Sequence, residues 1–277
     1  MSSQLYPWLA AALVILVAAG AGCVASDRSA TTPVTDGDAA ALLIRLQSDI
    51  TVALEALDDR LAYAAFELGK TDLSDAAARG ILANLSATDP SIVDCTVSDE
   101  DGTILAAEPA AYHDVEGAAV GGQAHVRHTL ATKRPSMSTV ITVAEDLPAT
   151  VIAVPVFTNE SRFTGFASIV FRPEVMIAGI AGPAANASSY QVMVVQPDGR
   201  VIYDTDPTQI GKMTFEDPLY ADYPGLLDVA RRVAEGRYGT ATYEFVADGQ
   251  TVQKEITWTT AGLHGTEWRV AVIRAVE

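Results

Sequence analysis

The sequence predicts an α+β fold: one long N-terminal helix, then two small modules, each an antiparallel sheet flanked by helices. Three observations predict it. Apolar residues recur at steps of three and four from Leu43 to Leu68, the period of an amphipathic helix. Beyond Pro90 the hydrophobic period changes to two, the period of strands. The order two strands, helical middle, three strands then occurs twice, an internal repeat of about one hundred residues.

The long helix is read over residues 38–70, with Leu43, Leu46, Ile50, Leu54, Leu57, Leu61, Ala64 and Leu68 as its apolar stripe. Asp36 or Asp38 suits its start and Gly69 its end. So long a stripe needs a long partner surface. A coiled-coil seam is the alternative, weakened by Ala53, Ala64 and Ala65. A second helix is expected from Ser74 to Leu85.

The first module, residues 71–184, continues with a strand from Ile92 to Val97, a turn at Asp99-Glu100-Asp101-Gly102 and a return at Thr103-Ile104-Leu105. Asp-Gly between apolar runs is a hairpin signal because the turn needs positive φ. A short helix is expected from Gln123 to Thr132, and strands at 136–143, 149–157 and 163–171. Pro173 opens a helix over 174–180, and Gly182-Pro183-Ala184-Ala185-Asn186 reads as a boundary.

The pattern restarts in the second module, residues 185–277. Strands are expected at 190–196 and 200–203 around Asp198-Gly199, a helix at 226–234, and closing strands at 239–246, 252–260 and 267–273. Gly102 therefore corresponds to Gly199, Pro109 to Pro207, and Gly117 to Gly211.

Composition narrows the function. Of 277 residues, 49% are hydrophobic and 19% charged, which supports a packed core and excludes wholesale disorder. The net charge of −17 repels phosphate backbones, so no nucleic-acid partner is expected. Cys95, in the run Ile92-Val93-Asp94-Cys95-Thr96-Val97, reads as a small buried strand residue.

At the N-terminus, Leu5 to Val24 is nearly all apolar and ends in small residues just before Cys23. An apolar stretch followed by small residues marks a secretion signal. Ala21-Gly22-Cys23 resembles the lipobox of prokaryotic lipoproteins, which makes Cys23 the lipidated residue. Gly20 stands where a leucine is usual, and no Lys or Arg precedes the apolar run. An uncleaved signal anchor is thus the alternative for residues 1–23. Either reading places the body outside the cytoplasmic membrane. Residues 24–37, rich in Ser, Thr, Asp, Ala and Pro, read as a flexible tether.

Four segments carry a family resemblance over residues 38–277. They are Gly121-Gly122-Gln123-Ala124-His125-Val126-Arg127; Pro155-Val156-Phe157 before Gly165; Tyr203-Asp204-Thr205-Asp206-Pro207 with Ile210-Gly211; and Gly265-Thr266-Glu267-Trp268-Arg269. With the long helix and the repeat, the chain resembles the double Cache family of extracytoplasmic sensors, whose modules are PAS-like. The resemblance implies that each module has a central antiparallel sheet with helices on one side, and that the long helix runs along both modules. It also implies a small organic ligand, with amino acids, other carboxylates and amines as typical examples. That ligand would be held by the first, membrane-distal module. Arg127 is followed by His128-Thr129-Leu130, not by the Trp and Tyr of the amino-acid-binding version. Such sensors normally continue into a second span and an output domain, so this lipoprotein-like form is expected to act through a separate membrane signalling or transport partner.

A pocket needs convergent polar groups over an apolar floor. The candidates in the first module are Arg127, Ser136, Ser138 and Tyr112. Arg127 can pair a carboxylate or lie on a solvated helix surface. Ser136 and Ser138 share a strand face, and Tyr112 packs at a loop edge or reaches the ligand. In the second module the candidates are Tyr203 and Asp204, with Asp206. The acids suit a cationic group, or an Asx turn capping the next segment. Trp258 and Trp268 are expected in the core and His264 in an exposed hairpin loop.

His125 and His128 are three apart on one helix, but neither HExxH nor a cysteine pair accompanies them. No Gly-x-Ser-x-Gly elbow or P-loop occurs. Catalytic residues, metal and cofactor are therefore not expected. A ligand-binding lipoprotein is the first functional expectation, a structural or adhesive envelope protein the second, and a secreted hydrolase the third.

Overall fold

The computed structural model describes residues 36–247 and 250–276. The apolar leader, Cys23 and all but the last two residues of the expected tether lie outside the described residues. Helix α1 (Asp36–Leu68) is followed by α2 (Ala76–Ser86). Asp75 caps α2 by accepting the Ala78 N–H at 2.7 Å.

The first sheet contains β1 (Ile92–Ser98), β2 (Ile104–Glu108), β3 (Ser136–Met137), β4 (Ile141–Thr142), β5 (Pro148–Phe157) and β6 (Phe163–Phe171). Its order is β2-β1-β6-β5-β3, with β4 also pairing β5. Helix α3 (Ala124–Thr132) packs against β5 and β6. Helix α4 (Pro173–Asn186) leads into the second sheet, made of β7 (Gln191–Val195), β8 (Val201–Asp204), β9 (Gly239–Ala247), β10 (Gln250–Leu263) and β11 (Thr266–Val276). The order there is β8-β7-β11-β10-β9, and α5 (Pro224–Glu235) packs on β9. Every pairing is antiparallel, as expected.

The repeat holds at the level of single hydrogen bonds. Gly102 and Gly199 both turn at positive φ, 83° and 93°. Gly117 N–H donates to the Ile104 carbonyl, and Gly211 N–H to the Val201 carbonyl, each at 2.8 Å. The Val120 N–H reaches the Gly102 carbonyl as the Thr214 N–H reaches that of Gly199.

Helix α1 joins the two modules into one core. Its stripe, from Leu43 through Leu54 and Leu61 to Leu68, is buried to 5% exposure or less. It packs on β5 and β6 of the first sheet and on β10 and β11 of the second. Cys95, Ile152 and Ile169 on one side and Val192, Val194 and Trp268 on the other belong to a single apolar cluster with it. The long partner surface is thus the two sheets, not a coiled-coil mate.

Three local expectations are corrected. The strand expected at 136–143 is two short strands. The Ser138 N–H still reaches the Val151 carbonyl at 2.8 Å, but its side chain, not its carbonyl, takes the Val151 N–H at 2.9 Å, and the Val140 N–H turns to Gln196 Oε1 at 2.6 Å. The expected boundary at 182–186 lies inside α4, which continues through Pro183 to Asn186. And helices cover both faces of each sheet, not one: α1 and α5 face opposite sides of the second sheet, each with its own apolar cluster.

Leu54 is fully buried midway along α1. Its replacement by alanine removes a large side chain that cannot be refilled from either module. We expect Leu54→Ala to destabilise the protein by about 2–5 kcal/mol in denaturant unfolding, in a single transition for both modules. Loss of only one module's signal would show that the modules unfold separately.

Candidate functional site

The two modules share a frame but enclose different amounts of space. In the first, the residues facing away from α1 leave a void of only about 20 Å³, lined among others by Thr96, His125, Glu145, Phe166 and Ser168. In the second, a cavity of about 490 Å³ lies between the sheet and α5. That is within the usual range for small-molecule sites.

Strand alternation builds the second cavity. Gln191, Met193 and Val195 of β7 face it, while Val192 and Val194 face α1. A register shift between Val194 and Val195 lets both Ile202 and Tyr203 of β8 join the α1 core, so that Val201 and Asp204 face the cavity. Leu226, Val229 and Val233 of α5 form the opposite wall. Arg269, 4% exposed, holds that wall down: its guanidinium donates to the Val233 and Ala234 carbonyls at the end of α5, both at 3.2 Å, and to Glu267 at 2.9 Å.

Polar groups gather at one end. Asp204 Oδ1 accepts from Gln191 Nε2 at 2.9 Å and from the Asp206 N–H at 2.8 Å. Lys254 Nζ donates to Gln191 Oε1 at 3.3 Å and lies 5.0 Å from the Phe245 ring centre. Tyr220 O–H donates to Gln209 Oε1 at 2.6 Å. Burial is the main cause that raises the Asp204 carboxyl; the Asp206 N–H and Gln191 oppose it. Asp206 itself caps the turn at Pro207–Gln209, taking Thr208 N–H at 3.0 Å and Thr208 O–H at 2.7 Å. Those bonds lower its pKa.

The sequence candidates divide accordingly. Asp204 lines the cavity, whereas Tyr203 is buried on the opposite face of the sheet. Arg127 is exposed on α3, where it donates to the Gly122 carbonyl, and does not line either cavity. Ser136 and Ser138 are buried but internally bonded. Ser136 Oγ lies 2.7 Å from Thr129 Oγ1 and donates to the His125 carbonyl at 3.1 Å. Ser138 Oγ donates to the Thr139 carbonyl at 2.6 Å. Tyr112 packs, half-buried, on the small cluster of Val93, Val143 and Val170. The first module's four candidates are therefore not brought together around a space. His125 is buried, His128 exposed, and no group of metal-ligating side chains occurs among the described residues.

Sequence reasoning missed Gln191, Lys254, Tyr220 and Tyr243, all cavity-lining. Lys254 was legible in principle as a lone cation between Val252 and Ile256 on an amphipathic strand. It also missed Asp94, which is fully buried on β1 beside Glu145. Burial, with the charge of Glu145 second, pushes Asp94 up to about 9.

Residues 52–173 match the family model described as HK/GC/chemotaxis protein-like, sensor domain. An extracellular ligand binding receptor from Desulfohalobium retbaense DSM5692 is 26% identical, with a TM-score of 0.73 over 87% of this chain and 41% of that one. This is a double Cache fold. The chain thus spans about two-fifths of that receptor's length. The ligand-binding domain of the amino acid chemoreceptor PctB of Pseudomonas aeruginosa PAO1, in complex with L-Gln, shares the Cache fold at 15% identity, covering 87% of this chain and 90% of that one, with a TM-score of 0.59. Methyl-accepting chemotaxis protein X does so at 16% identity, 87% and 97% coverage and a TM-score of 0.63. No curated protein sequence matches the chain. Among the described residues, no helix is long and apolar enough to cross a membrane.

The buried Asp94 has a consequence for stability. Its folded pKa is raised above the unfolded value of 3.8, so the folded state is favoured most at low pH and loses that advantage as pH rises toward about 9. We expect the melting temperature to fall between pH 5 and pH 9, and Asp94→Asn to flatten the fall. Parallel pH profiles for the two proteins would show that Asp94 is solvated instead.

Proposed function

We propose that this chain is an extracytoplasmic, lipid-anchored receptor for a small organic molecule, with its ligand site in the cavity of the second module. The observation that carries this reading is the 490 Å³ cavity itself, apolar on its walls and polar at one end. Kinship of residues 52–173 with sensor domains, and the wider likeness to an extracellular ligand binding receptor, support the sensory part.

The site differs from the expectation of a membrane-distal pocket. The first module has the family match, but its interior is filled. Nor does an amino-acid ligand in that module find support, because Arg127 lies on the surface. A route from cavity to first module exists through Gln196. It lines the cavity, and its Oε1 accepts the Val140 N–H at 2.6 Å. Thr266 O–H adds a second bridge to the Met137 carbonyl at 2.6 Å. Ligand-dependent shifts of the second sheet would therefore be felt by the first and by α1, and would be read by a separate membrane partner.

Thermal-shift screening against carboxylates, amines, sugars and nucleobases tests the binding reading, because a ligand that binds only the folded state raises the melting temperature. Val229→Trp, which fills the cavity from α5, should abolish the shift without lowering the melting temperature of the free protein by more than a few degrees. A shift that survives Val229→Trp would move the site elsewhere. No hit from any class would favour a structural envelope protein, the reading that the filled first module supports.

The anchor is tested separately. Metabolic labelling with a clickable fatty acid in a bacterial host should mark the wild-type chain and not Cys23→Ser. Equal labelling of the two, or none with membrane retention in both, would point to an uncleaved signal anchor.

A further inference from the structure

We propose that the second-module cavity takes an organic cation with an apolar body, its ammonium group seated on Asp204. The inference rests on the reading of that cavity as the ligand site and adds the chemical class of the ligand.

One oxygen of Asp204 is unused by the fold. The residue is 4% exposed and lines the cavity. Every hydrogen bond to it ends on Oδ1, from Gln191, from the Asp206 N–H and, at 3.5 Å, from the Thr205 hydroxyl. Among the described residues nothing donates to Oδ2. Oδ2 opens on the cavity, so water or a ligand must donate to it. An ammonium group does so, and adds opposite charge.

The neighbouring charges agree. Asp206 lines the same end, so a ligand carboxylate placed there would meet two acids. Lys254 is the one cationic side chain among the described lining residues, and it is already directed at Gln191 Oε1 and the Phe245 ring. Its position shows that this end accommodates a positive charge beside an aromatic face. Tyr220 and Tyr243 stay neutral phenols, raised by burial and then by the charge of Asp204, so they add donors and ring faces without charge. The overall charge of −17 attracts cations toward the mouth.

The rest of the cavity sets the body of the ligand. Met193, Val195, Ile256, Val229 and Val233 offer apolar surface. A small hydrophilic cation such as methylamine would leave that surface wet, whereas an aryl or branched alkyl group would cover it. At about 25 cal/mol per Å² of apolar surface removed from water, the body contributes most of the affinity and the head supplies orientation.

The test uses the full chain and matched probes: 2-phenylethylamine, hexylamine, 2-phenylethanol, 3-phenylpropionate and methylamine, each followed by thermal shift and calorimetry. The two larger amines should bind most tightly, the alcohol more weakly, and the carboxylate and methylamine not measurably. Asp204→Asn should weaken the larger amines by about 10-fold or more, the range for a charge-assisted hydrogen bond, and change the alcohol little. Asparagine retains an acceptor for Gln191 and Asp206, and an unchanged melting temperature of the free variant confirms the fold. Lys254→Met should tighten amine binding, because it removes a cation whose charge already acts on Asp204. Preference for the carboxylate, or amine binding indifferent to Asp204→Asn, overturns the cation proposal while leaving the cavity as the site, provided Val229→Trp still abolishes binding. No binding by any probe overturns the cation proposal; if the wider screen is also empty, the receptor reading falls with it.

Discussion

The fold depends on one packing interaction, the stripe of α1 against two separate sheets. Neither sheet could bury its inner face alone. Cys95, Val97, Ile152 and Ile169 in the first module need Leu54, Leu57 and Leu61 as much as Val192, Val194 and Trp268 in the second need their share of the same helix. Burying a leucine or isoleucine completely contributes about 1.5–3 kcal/mol, and α1 places Leu46, Ile50, Leu54, Leu57, Leu61 and Leu68 at 1% exposure or less. The hydrogen bond between His264 and Asp58, at 2.8 Å, further ties the β10–β11 turn to the helix. Because the α1 side of both sheets is committed to packing, any cavity must form on the opposite side. That single constraint places the one large cavity among the described residues beneath α5.

The opposite sides diverge because their coverings differ. In the first module, α3 contributes Val126 and His125, and the β4–β5 turn brings in Val143 and Glu145. These side chains close over Phe166 and Val170. In the second module α5 is the covering, and its inner residues are the medium-sized Leu226, Val229, Ala230 and Val233. Small and medium side chains on the wall leave a volume that the floor cannot collapse to fill, since the strands are held by α1 from behind. Phe215, whose ring lies against Gly199, closes the side near the turn; any Cβ at position 199 would meet that ring within 2.6 Å.

Much of the fold was legible in the sequence, and the reason is local. The α1 stripe is a periodicity, the Asp-Gly turns are backbone chemistry, and the repeat is a correspondence between short segments. Each survives without knowledge of the rest of the chain. The β6 limits, Phe163 to Phe171, match the expected strand, a short apolar run buried on both faces. What failed was set at long range. Pro183 reads as a stop, yet α4 runs through it. Ser136 and Ser138 looked free for a ligand, but Thr129 Oγ1, the His125 carbonyl and the Val151 N–H, distant in sequence, engage them. Tyr203 and Asp204 were paired as candidates because they are adjacent. Strand alternation sends neighbours to opposite faces, and the irregularity at Ile202 decides that Asp204, not Tyr203, shares the cavity face with Val201. Which module holds the space depends on the summed volumes of several facing side chains, a quantity no motif encodes.

Two buried acids show why the space matters for charge. Asp94 and Asp204 both lie on strand faces directed away from α1, both nearly without exposure. Burial disfavours the charged form of Asp94, and Glu145 beside it adds a like charge and a hydrogen bond that favours the protonated form. The neutral form of Asp94 is favoured, and the closed first module has no room for a cation that would reverse this. Asp204 has the amide of Gln191 and the backbone N–H of Asp206 on one oxygen, both favouring its charged form against the desolvation that raises it. It also faces about 490 Å³ of space. The half-satisfied acid is thus the one that keeps access to a charge, and it lies in the module that has room for a partner to it. A carboxylate so placed gains more from an incoming cation than one in water, because the surrounding apolar wall lowers the local dielectric while the fixed dipoles on Oδ1 are already in position.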